Sequence, residues 1–250
     1  MTDLILKRPK KWNLAYTFDK GNKDLCVVYL HGWLANRKRQ KALTLQEVAG
    51  KNGCSYLSLD YTAHGESGGS PADFTIGQGI ADTLDVIAET VPNIPLIIIG
   101  NSVGGWIGLW LAEHLKTVVG FIGLAPAPDI TDWIWNKMLP DYAKAEIEKG
   151  NILGPMEATH GFCFTKQLFK DGEEHFMLNR PIEFKGPVRI LWGDQDDRVE
   201  KSRINQIKEC LVSDDVAITV IKGSDHHLSR PEDFKIMGEI LENMIKEVQK

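Results

Sequence analysis

Six short apolar runs that scarcely alternate with polar residues constrain the fold of this chain more than any other feature. They are rich in Val, Ile and Leu, and they span Leu25–His31, Cys54–Asp60, Leu96–Gly100, Val118–Ala125, Val188–Gly193 and Val216–Lys222. Continuous apolar runs of this length are typical of parallel strands, because the helices that connect such strands cover both faces of the sheet. Segments of helical length separate the runs. The sequence therefore predicts an α/β fold with a doubly wound, mostly parallel sheet.

Two of the connecting segments have clear helical patterns. Asp73 is a candidate N-cap for a helix that runs towards Val91, with apolar residues at helical spacing along it. In the last segment, apolar residues recur every four positions from Ile236 to Val248, which predicts a final helix with one face on the sheet. The chain has 250 residues, a normal size for one α/β domain, and it contains no internal repeat or polar linker. We therefore expect residues 1–250 to form a single domain.

The stretch from about residue 129 to residue 180 interrupts this rhythm of strands and helices. It has no clear strand but many large apolar side chains, among them Trp133, Trp135, Phe162, Phe164 and Phe169. Such a segment is too long for a loop inside a compact domain and too apolar to lie in water. We expect a mainly helical cap inserted at one end of the sheet, with its apolar side packed on the domain.

Composition and charge exclude several classes of protein. A formal net charge of −5 argues against nucleic-acid binding, which usually requires a basic surplus to displace phosphate counterions. No apolar stretch approaches the roughly 18 residues that span a bilayer, and the N-terminal segment has the wrong order of charged and apolar residues for a signal peptide. The four cysteines are scattered and form no Cys-x-x-Cys pair, as in a reducing compartment. We therefore expect a cytoplasmic protein.

A Gly-x-Ser-x-Gly pattern, Gly100 to Gly104, joins one apolar run directly to a helical segment. A serine on such a tight strand-to-helix turn has its Oγ at the helix N-terminus, where the helix dipole and free N–H groups favour a developing negative charge. This context predicts that Ser102 is a nucleophile rather than a helix N-cap. The glycine spacing also resembles a phosphate-binding P-loop, but that loop requires Lys and then Ser or Thr where this chain has Trp106 and Ile107.

A serine hydroxyl needs a base, and the base needs a carboxylate that orients it. Candidates for both follow predicted strands, at the edge where a doubly wound sheet builds its site. They are Asp194, Asp196 and Asp197 after one strand, and His226 and His227 after the next. A calcium loop at the carboxylates and a metal site at the histidine pair each lack the further ligands that they need.

These motifs, in the order Ser, acid, His, make the chain resemble the α/β-hydrolase family over nearly its whole length. The resemblance implies that Asp196 is the orienting acid and that His226, directly after an Asp, is the base. The oxyanion of the reaction needs two backbone donors. One is expected from the N–H of Val103, directly after the nucleophile, and the resemblance implies the N–H of Trp33 as the other.

Two further histidines lie in motifs of that family. His31 begins the His-Gly-Trp turn after the strand Leu25–His31, and His64 lies in a glycine-rich turn after the next strand. The resemblance favours a role in shaping these loops over a catalytic role for either histidine.

The elbow Gly-Asn-Ser-Val-Gly-Gly-Trp and the ending Ser-Asp-His-His-Leu-Ser-Arg-Pro-Glu-Asp resemble one branch of the family. That branch contains acyl-protein thioesterases and acyl-glucuronide esterases of mitochondria, with bacterial relatives. His227 stands where that pattern has Arg, so the charge near the mouth of the site differs.

The resemblance implies a serine hydrolase that cleaves carboxylic esters or thioesters of a small-molecule or acyl-protein substrate without a cofactor. One alternative is another reaction of the same residues, as in a peptidase, a carbon–carbon hydrolase or an acyltransferase. The other alternative is a non-catalytic binding protein of the same fold.

Overall fold

A computed structural model describes residues 3–154 and 161–249, and its centre is an eight-stranded sheet. In chain order the strands are β1 (Asp3–Leu6), β2 (Leu14–Asp19), β3 (Cys26–Leu30), β4 (Ser55–Leu59), β5 (Leu96–Asn101), β6 (Val118–Leu124), β7 (Val188–Gly193) and β8 (Val216–Ile221). Their order across the sheet is β1-β2-β4-β3-β5-β6-β7-β8. The six predicted strands are present as β3 to β8. The predicted α/β class with a mostly parallel sheet is therefore confirmed.

Strands β1 and β2 are additions to the predicted sheet, and they are its antiparallel part. β1 pairs with β2 and β2 pairs with β4, both antiparallel, whereas every neighbouring pair from β4 across to β8 is parallel. β1 is only four residues long, and its side chains alternate between exposed and half-buried positions. Such a short edge strand lacks the continuous apolar run by which the central strands are recognised.

Helices connect the parallel strands and close the chain. They are α1 (Gln40–Lys51), α2 (Ile76–Thr90), α3 (Val103–His114), α4 (Ile130–Trp133), α5 (Asp141–Glu148), α6 (Lys166–Glu174), α7 (Lys201–Cys210) and α8 (Pro231–Val248). The predicted final helix is present as α8. Within residues 3–154 and 161–249, no helix is both long enough and apolar enough to cross a membrane.

The predicted N-cap of α2 is wrong. Asp73 lies in a separate turn of 3₁₀-helix, Pro71–Asp73, where its carboxylate accepts a hydrogen bond from the Ser70 backbone N–H at 2.7 Å. Thr75 is the N-cap of α2, and its hydroxyl accepts a hydrogen bond from the Gln78 backbone N–H at 3.1 Å. Asp and Thr are both good N-cap residues, so residue type alone does not choose between neighbouring candidates.

Two apolar layers cover the sheet, one on each face. Val27 and Tyr29 of β3 belong to the layer that includes side chains of α1 and α8. Val28 and Leu30 of the same strand belong to the opposite layer, which includes side chains of α2, α3 and α7. Successive side chains of a strand point to opposite faces, so a strand covered on both faces must be apolar throughout. The carboxyl ends of β3, β5, β7 and β8 consequently meet at one edge of a rigid platform.

The segment between β6 and β7 contains α4, a π-helical turn that continues it (Ile134–Met138), α5 and α6. It has its own apolar cluster, which includes Ile147, Phe164 and Leu168, and Trp33 packs against this cluster. The buried carboxylate of Asp129 accepts hydrogen bonds from the backbone N–H groups of Met177 and Leu178 at 2.9 and 2.8 Å, so the two ends of the segment are tied together. Residues 155–160 of the predicted cap lie outside the described residues.

Candidate active site

Ser102 occupies a strained turn between β5 and α3. Its φ is 53° and its ψ is −118°, a conformation that a residue with a side chain rarely adopts. Two backbone hydrogen bonds join this turn to the end of β6 and the segment after it. The Ser102 N–H donates to the Leu124 carbonyl at 3.0 Å, and the Ser102 carbonyl accepts from the Ala127 N–H at 3.0 Å. The half-buried Ser102 side chain therefore has a fixed place at the N-terminus of α3.

Two glycines of the Gly-x-Ser-x-Gly pattern are required by close contacts around this turn. A Cβ atom on Gly100 would overlap the carbonyl oxygen of Gly104, and one on Gly104 would overlap the carbonyl oxygen of Leu30 at the end of β3. The absence of side chains here lets the start of α3 lie directly against β3 and β5.

Three predicted side chains from three loops meet at the carboxyl edge of the sheet. The Nε2 atom of His226 lies 3.0 Å from the Oγ of Ser102, and its Nδ1 atom lies 2.9 Å from Oδ2 of Asp196. The other oxygen of Asp196 accepts hydrogen bonds from the backbone N–H groups of Arg198 and Val199, both at 2.9 Å. A hydroxyl, an imidazole and a carboxylate in this order can pass the hydroxyl proton to the imidazole and hold the resulting cation.

The other candidates in the same two loops lie outside this line of hydrogen bonds. Asp194 and Asp197 are exposed, and Asp194 accepts a hydrogen bond from the Gly223 N–H at 2.6 Å, which joins the turns after β7 and β8. His227 is also exposed, and its ring centroid lies 6.1 Å from that of His226. Across the part of the chain that the structure describes, no three His, Cys, Asp or Glu side chains are grouped so that they could hold a metal ion.

His31 and His64 are buried, and neither ring forms a hydrogen bond with Ser102 in the described part of the chain. The Nδ1 of His31 lies 2.8 Å from the Gly32 carbonyl oxygen, and the Nδ1 of His64 lies 3.1 Å from that of Thr62. Burial lowers the pKa of His31 to about 3 and also lowers the pKa of His64, so both imidazoles are neutral near neutral pH. Each histidine thus contacts the backbone of its own loop.

The two backbone donors expected for the oxyanion belong to segments that border Ser102. Val103 is the first residue of α3, and Trp33 follows Gly32, whose backbone packs against Ser102 so closely that a Cβ on Gly32 would lie 3.3 Å from the Cβ of Ser102. Within the described residues, neither the Val103 N–H nor the Trp33 N–H has a hydrogen-bond acceptor. The Val103 and Trp33 N–H groups therefore stay the predicted donors for the oxyanion.

An ionic network centred on the buried pair of Arg37 and Asp60 holds the loop after β3, which carries Trp33. Arg37 is 3% exposed, and its guanidinium contacts the fully buried carboxylate of Asp60 and, at 2.5 Å, the carboxylate of Glu66. Its backbone N–H also donates to Oδ1 of Asp60 at 2.8 Å. The loops after β3 and β4 are fastened to each other by these contacts, which gives the Trp33 N–H a rigid support.

Sequence reasoning missed both Arg37 and Lys41. They belong to the run Asn36-Arg-Lys-Arg-Gln-Lys41, which has the composition of a solvated basic segment, yet both are at least nine-tenths buried. The one sequence feature that could have indicated their burial is their position, directly after the His-Gly-Trp turn and at the start of a helix. A single sequence does not show which cations of such a run point inward.

The fold and this edge of the sheet define a class of protein, and comparison with known families agrees. Residues 27–235 match the model of the Alpha/beta hydrolase family. The chain therefore belongs to the alpha/beta hydrolase family and has the fold of a hydrolase.

Within this family the chain is similar to palmitoyl-protein thioesterase ABHD10, mitochondrial. The identity is 31% over 246 residues with the Bos taurus protein, covering 96% of this chain and 79% of that one. With the Homo sapiens protein the identity is 31% over 245 residues, with the same coverage. The solved structure of alpha/beta hydrolase domain-containing protein 10 from mouse has a TM-score of 0.87 and 30% identity, and it covers 99% of this chain and 100% of that one. The mitochondrial names of these relatives do not support the expectation of a cytoplasmic protein.

Proposed function

We propose that this protein is a serine hydrolase that cleaves carboxylic esters or thioesters through an acyl-enzyme on Ser102. The observation that carries the proposal is the continuous line of hydrogen bonds from the Ser102 Oγ through His226 to Asp196, at 3.0 and 2.9 Å. The Ser102 Oγ is inert without a base, and these contacts support His226 as that base and Asp196 as the carboxylate that orients it.

In the proposed reaction, Nε2 of His226 takes the hydroxyl proton as Ser102 Oγ attacks the carbonyl carbon of the substrate. The N–H groups of Trp33 and Val103 hold the oxygen that becomes negative in the tetrahedral intermediate. Protonated His226, stabilised by Asp196, then gives its proton to the leaving alcohol or thiol as the acyl-enzyme forms. Water, activated by the same imidazole, attacks the acyl-enzyme, and release of the acid restores the Ser102 hydroxyl.

The thioester half of the proposal is supported by the relatives, which are named palmitoyl-protein thioesterases. The aromatic side chains around the site support the proposal that the protein binds the acyl part of its substrate. The Trp33 ring lies 4.7 Å from that of Phe162 and 5.8 Å from that of Phe74, between the sheet and the segment after β6. We propose that this segment, about residues 129–180, is a cap of a single domain and that an acyl chain binds beneath it, since burial of each methylene contributes about 0.8 kcal/mol.

A fluorophosphonate probe tests the proposal without knowledge of the natural substrate. The wild-type protein should gain the mass of one probe, located on Ser102, whereas Ser102→Ala should gain none. Ser202→Ala, at an exposed serine of α7, is the matched control and should be labelled as the wild type is. Labelling that is absent in the wild type, or equal in Ser102→Ala, would exclude the acyl-enzyme and favour a non-catalytic binding protein.

A substrate panel then separates reactions that use the same residues. Nitrophenyl esters with short, medium and long acyl chains, acyl-CoA thioesters and aminoacyl amides should be compared by kcat/KM. We expect the esters and thioesters to react and the amides to be at least about tenfold poorer. Faster cleavage of the amides would instead identify a peptidase, and transfer of the acyl group to an added alcohol rather than to water would identify an acyltransferase.

A further inference from the structure

We infer that Lys41 is a positioning residue that holds the loop of the base His226 from the opposite side of the site. The inference rests on the proposed function of that histidine. Lys41 lies in the first turn of α1, and its Nζ donates a hydrogen bond to the backbone carbonyl oxygen of His227 at 2.5 Å. This contact joins the segment that follows the Trp33 turn to the residue next to the base, across 186 positions of the sequence.

The placement of Lys41 is unusual for a lysine. The residue is 9% exposed, and within the described residues its ammonium has no carboxylate within ion-pair distance, unlike Lys38 in the same basic run. Burial of an ammonium is costly, and Lys is rarely buried unless it is paired. Here the hydrogen bond goes to a neutral carbonyl in the loop of the base, so the group that the ammonium supports is that loop.

Other contacts hold the loop that carries His226 from within the loop or from its other sides. The Ser224 hydroxyl donates a hydrogen bond to Asp233 of α8 at 2.7 Å. The Ser224 carbonyl accepts one at 3.0 Å from the N–H of Gln195, which follows β7. After the base, Leu228 has a φ of 45°, which is a strained conformation for leucine. Lys41 binds between these points, directly beside the histidine.

Small shifts of the base have large effects, because proton transfer requires the His226 Nε2 to stay within hydrogen-bond reach of Ser102 Oγ. A displacement of about 1 Å in a reacting group can lower a rate by about 100-fold. The Ser229 hydroxyl also donates to the His227 carbonyl, at 2.9 Å, but Ser229 belongs to the same loop. Loss of the Lys41 hydrogen bond therefore removes the contact that joins this carbonyl, and with it the neighbouring imidazole, to α1. The expected signature is a lower kcat with little change in KM, since Lys41 contacts the loop rather than the substrate.

The same contact depends on pH. Burial lowers the pKa of Lys41 to about 8, with Arg39 lowering it further and with Asp225 and Asp233 acting in the opposite direction. The Lys41 charge in turn helps to lower the pKa of His227. Above pH 8 the ammonium becomes an amine, and its charge-assisted hydrogen bond to the carbonyl weakens. We therefore expect the wild-type rate to fall above about pH 8 because the loop is held less firmly.

Three variants test the inference, with the rate of fluorophosphonate labelling of Ser102 and kcat for a reactive ester as readouts. Lys41→Met keeps the apolar stem and removes the donor, and it should lower both rates by about 10- to 100-fold with KM changed less than about threefold. Lys41→Arg keeps a permanent charge and donor, so it should retain most of the rate and lose the fall above pH 8. Lys51→Met, at an exposed position of the same helix, is the control and should behave as the wild type does.

The outcomes separate this inference from the proposed function. A wild-type protein that is never labelled overturns the proposed function. A wild type that is labelled, with Lys41→Met equal to it in rate and pH profile, overturns the role of Lys41 alone. If Lys41→Met does not fold, as judged by circular dichroism, the Lys41→Arg pH profile decides: an alkaline fall identical to that of the wild type overturns the inference.

Discussion

Two histidines of this protein follow strands at the same edge of the sheet but lie in opposite surroundings. His226, after β8, has both ring nitrogens at hydrogen-bond distance from side chains, Asp196 on one side and Ser102 on the other. His31, after β3, is fully buried, and within the described residues its Nε2 has no hydrogen-bond partner. His226 and His31 therefore occupy the same kind of position, after a parallel strand, but their rings have different hydrogen-bond partners.

The carboxylates beside these histidines explain the difference. Asp196 binds two backbone N–H groups with one oxygen and leaves the other for the His226 Nδ1 at 2.9 Å. Asp60 lies 3.8 Å from His31 Nε2, beyond hydrogen-bond distance, and its oxygens are occupied by Arg37 and by the Glu66 N–H. A carboxylate near a histidine is thus insufficient for a base. It must have a free oxygen at the ring, and the other ring nitrogen must reach a hydroxyl.

The largest expected effect comes from replacing His226, the histidine of this comparison that contacts Ser102, with the adjacent His227 as the control position. His226→Gln should lower kcat for ester hydrolysis by at least about 10⁴-fold, because the variant keeps a polar side chain but has no group that accepts the serine proton. His227→Gln changes the exposed neighbour in the same loop and should remain within about threefold of the wild type. The effect is measured by steady-state kinetics on purified proteins, and matching circular dichroism spectra show that the variants fold as the wild type does. Equal losses in the two variants would contradict the assignment of the base.

Local patterns in the sequence were sufficient for the parts of the site that are built locally. The elbow around Ser102 is encoded by Gly100 and Gly104, whose missing side chains permit the contacts that the structure shows. The strands β3 to β8 could be predicted because burial on both faces requires continuous apolar runs. The choice of His226 over His227 needed a family resemblance, since adjacent loop residues of the same type carry no signal of which one faces inward.

Other features depend on distant parts of the chain and could not be predicted in this way. Arg37 and Lys41 lie in a run of basic residues, and only the fold shows that Asp60 and the His227 carbonyl are their partners. Strand β1 was missed because its pairing with β2, rather than its own composition, makes it a strand. Long-range pairing of this kind is invisible to periodicity within a short window.

The second prediction concerns stability and rests on the contacts between Arg37 and the buried carboxylate of Asp60. Arg37→Met should lower the free energy of unfolding by about 3–5 kcal/mol, because it leaves the fully buried Asp60 carboxylate without its cation. Lys38→Met is the matched control at the next position, where the ion pairs with Asp3 and Glu66 are exposed, and it should leave the urea midpoint nearly unchanged. Comparable midpoints for the two variants would show that Asp60 does not depend on Arg37.

The smallest expected effect is the dependence of stability on the protonation of His31. Burial, with a smaller contribution from His64, lowers the pKa of His31 to about 3 in the folded protein, whereas an exposed histidine has a pKa of about 6.5. Between these values the unfolded chain binds a proton that the folded protein excludes, so the free energy of unfolding falls as the pH falls below about 6.5. At pH 5 the loss relative to pH 7 is about 2 kcal/mol for this one group, at about 1.4 kcal/mol per pH unit.

His31→Gln isolates that contribution, because the variant lacks the titrating ring while other groups still titrate in both proteins. In urea unfolding, the stability difference between the wild type and His31→Gln should shrink or reverse by about 2 kcal/mol between pH 7 and pH 5. His114→Gln, at an exposed histidine, should show no such change in its difference from the wild type. A constant difference for His31→Gln would mean that this buried ring takes up a proton in the folded state. In that case His31 and His226 are both able to accept protons, and only the hydroxyl at the second ring nitrogen of His226 distinguishes them.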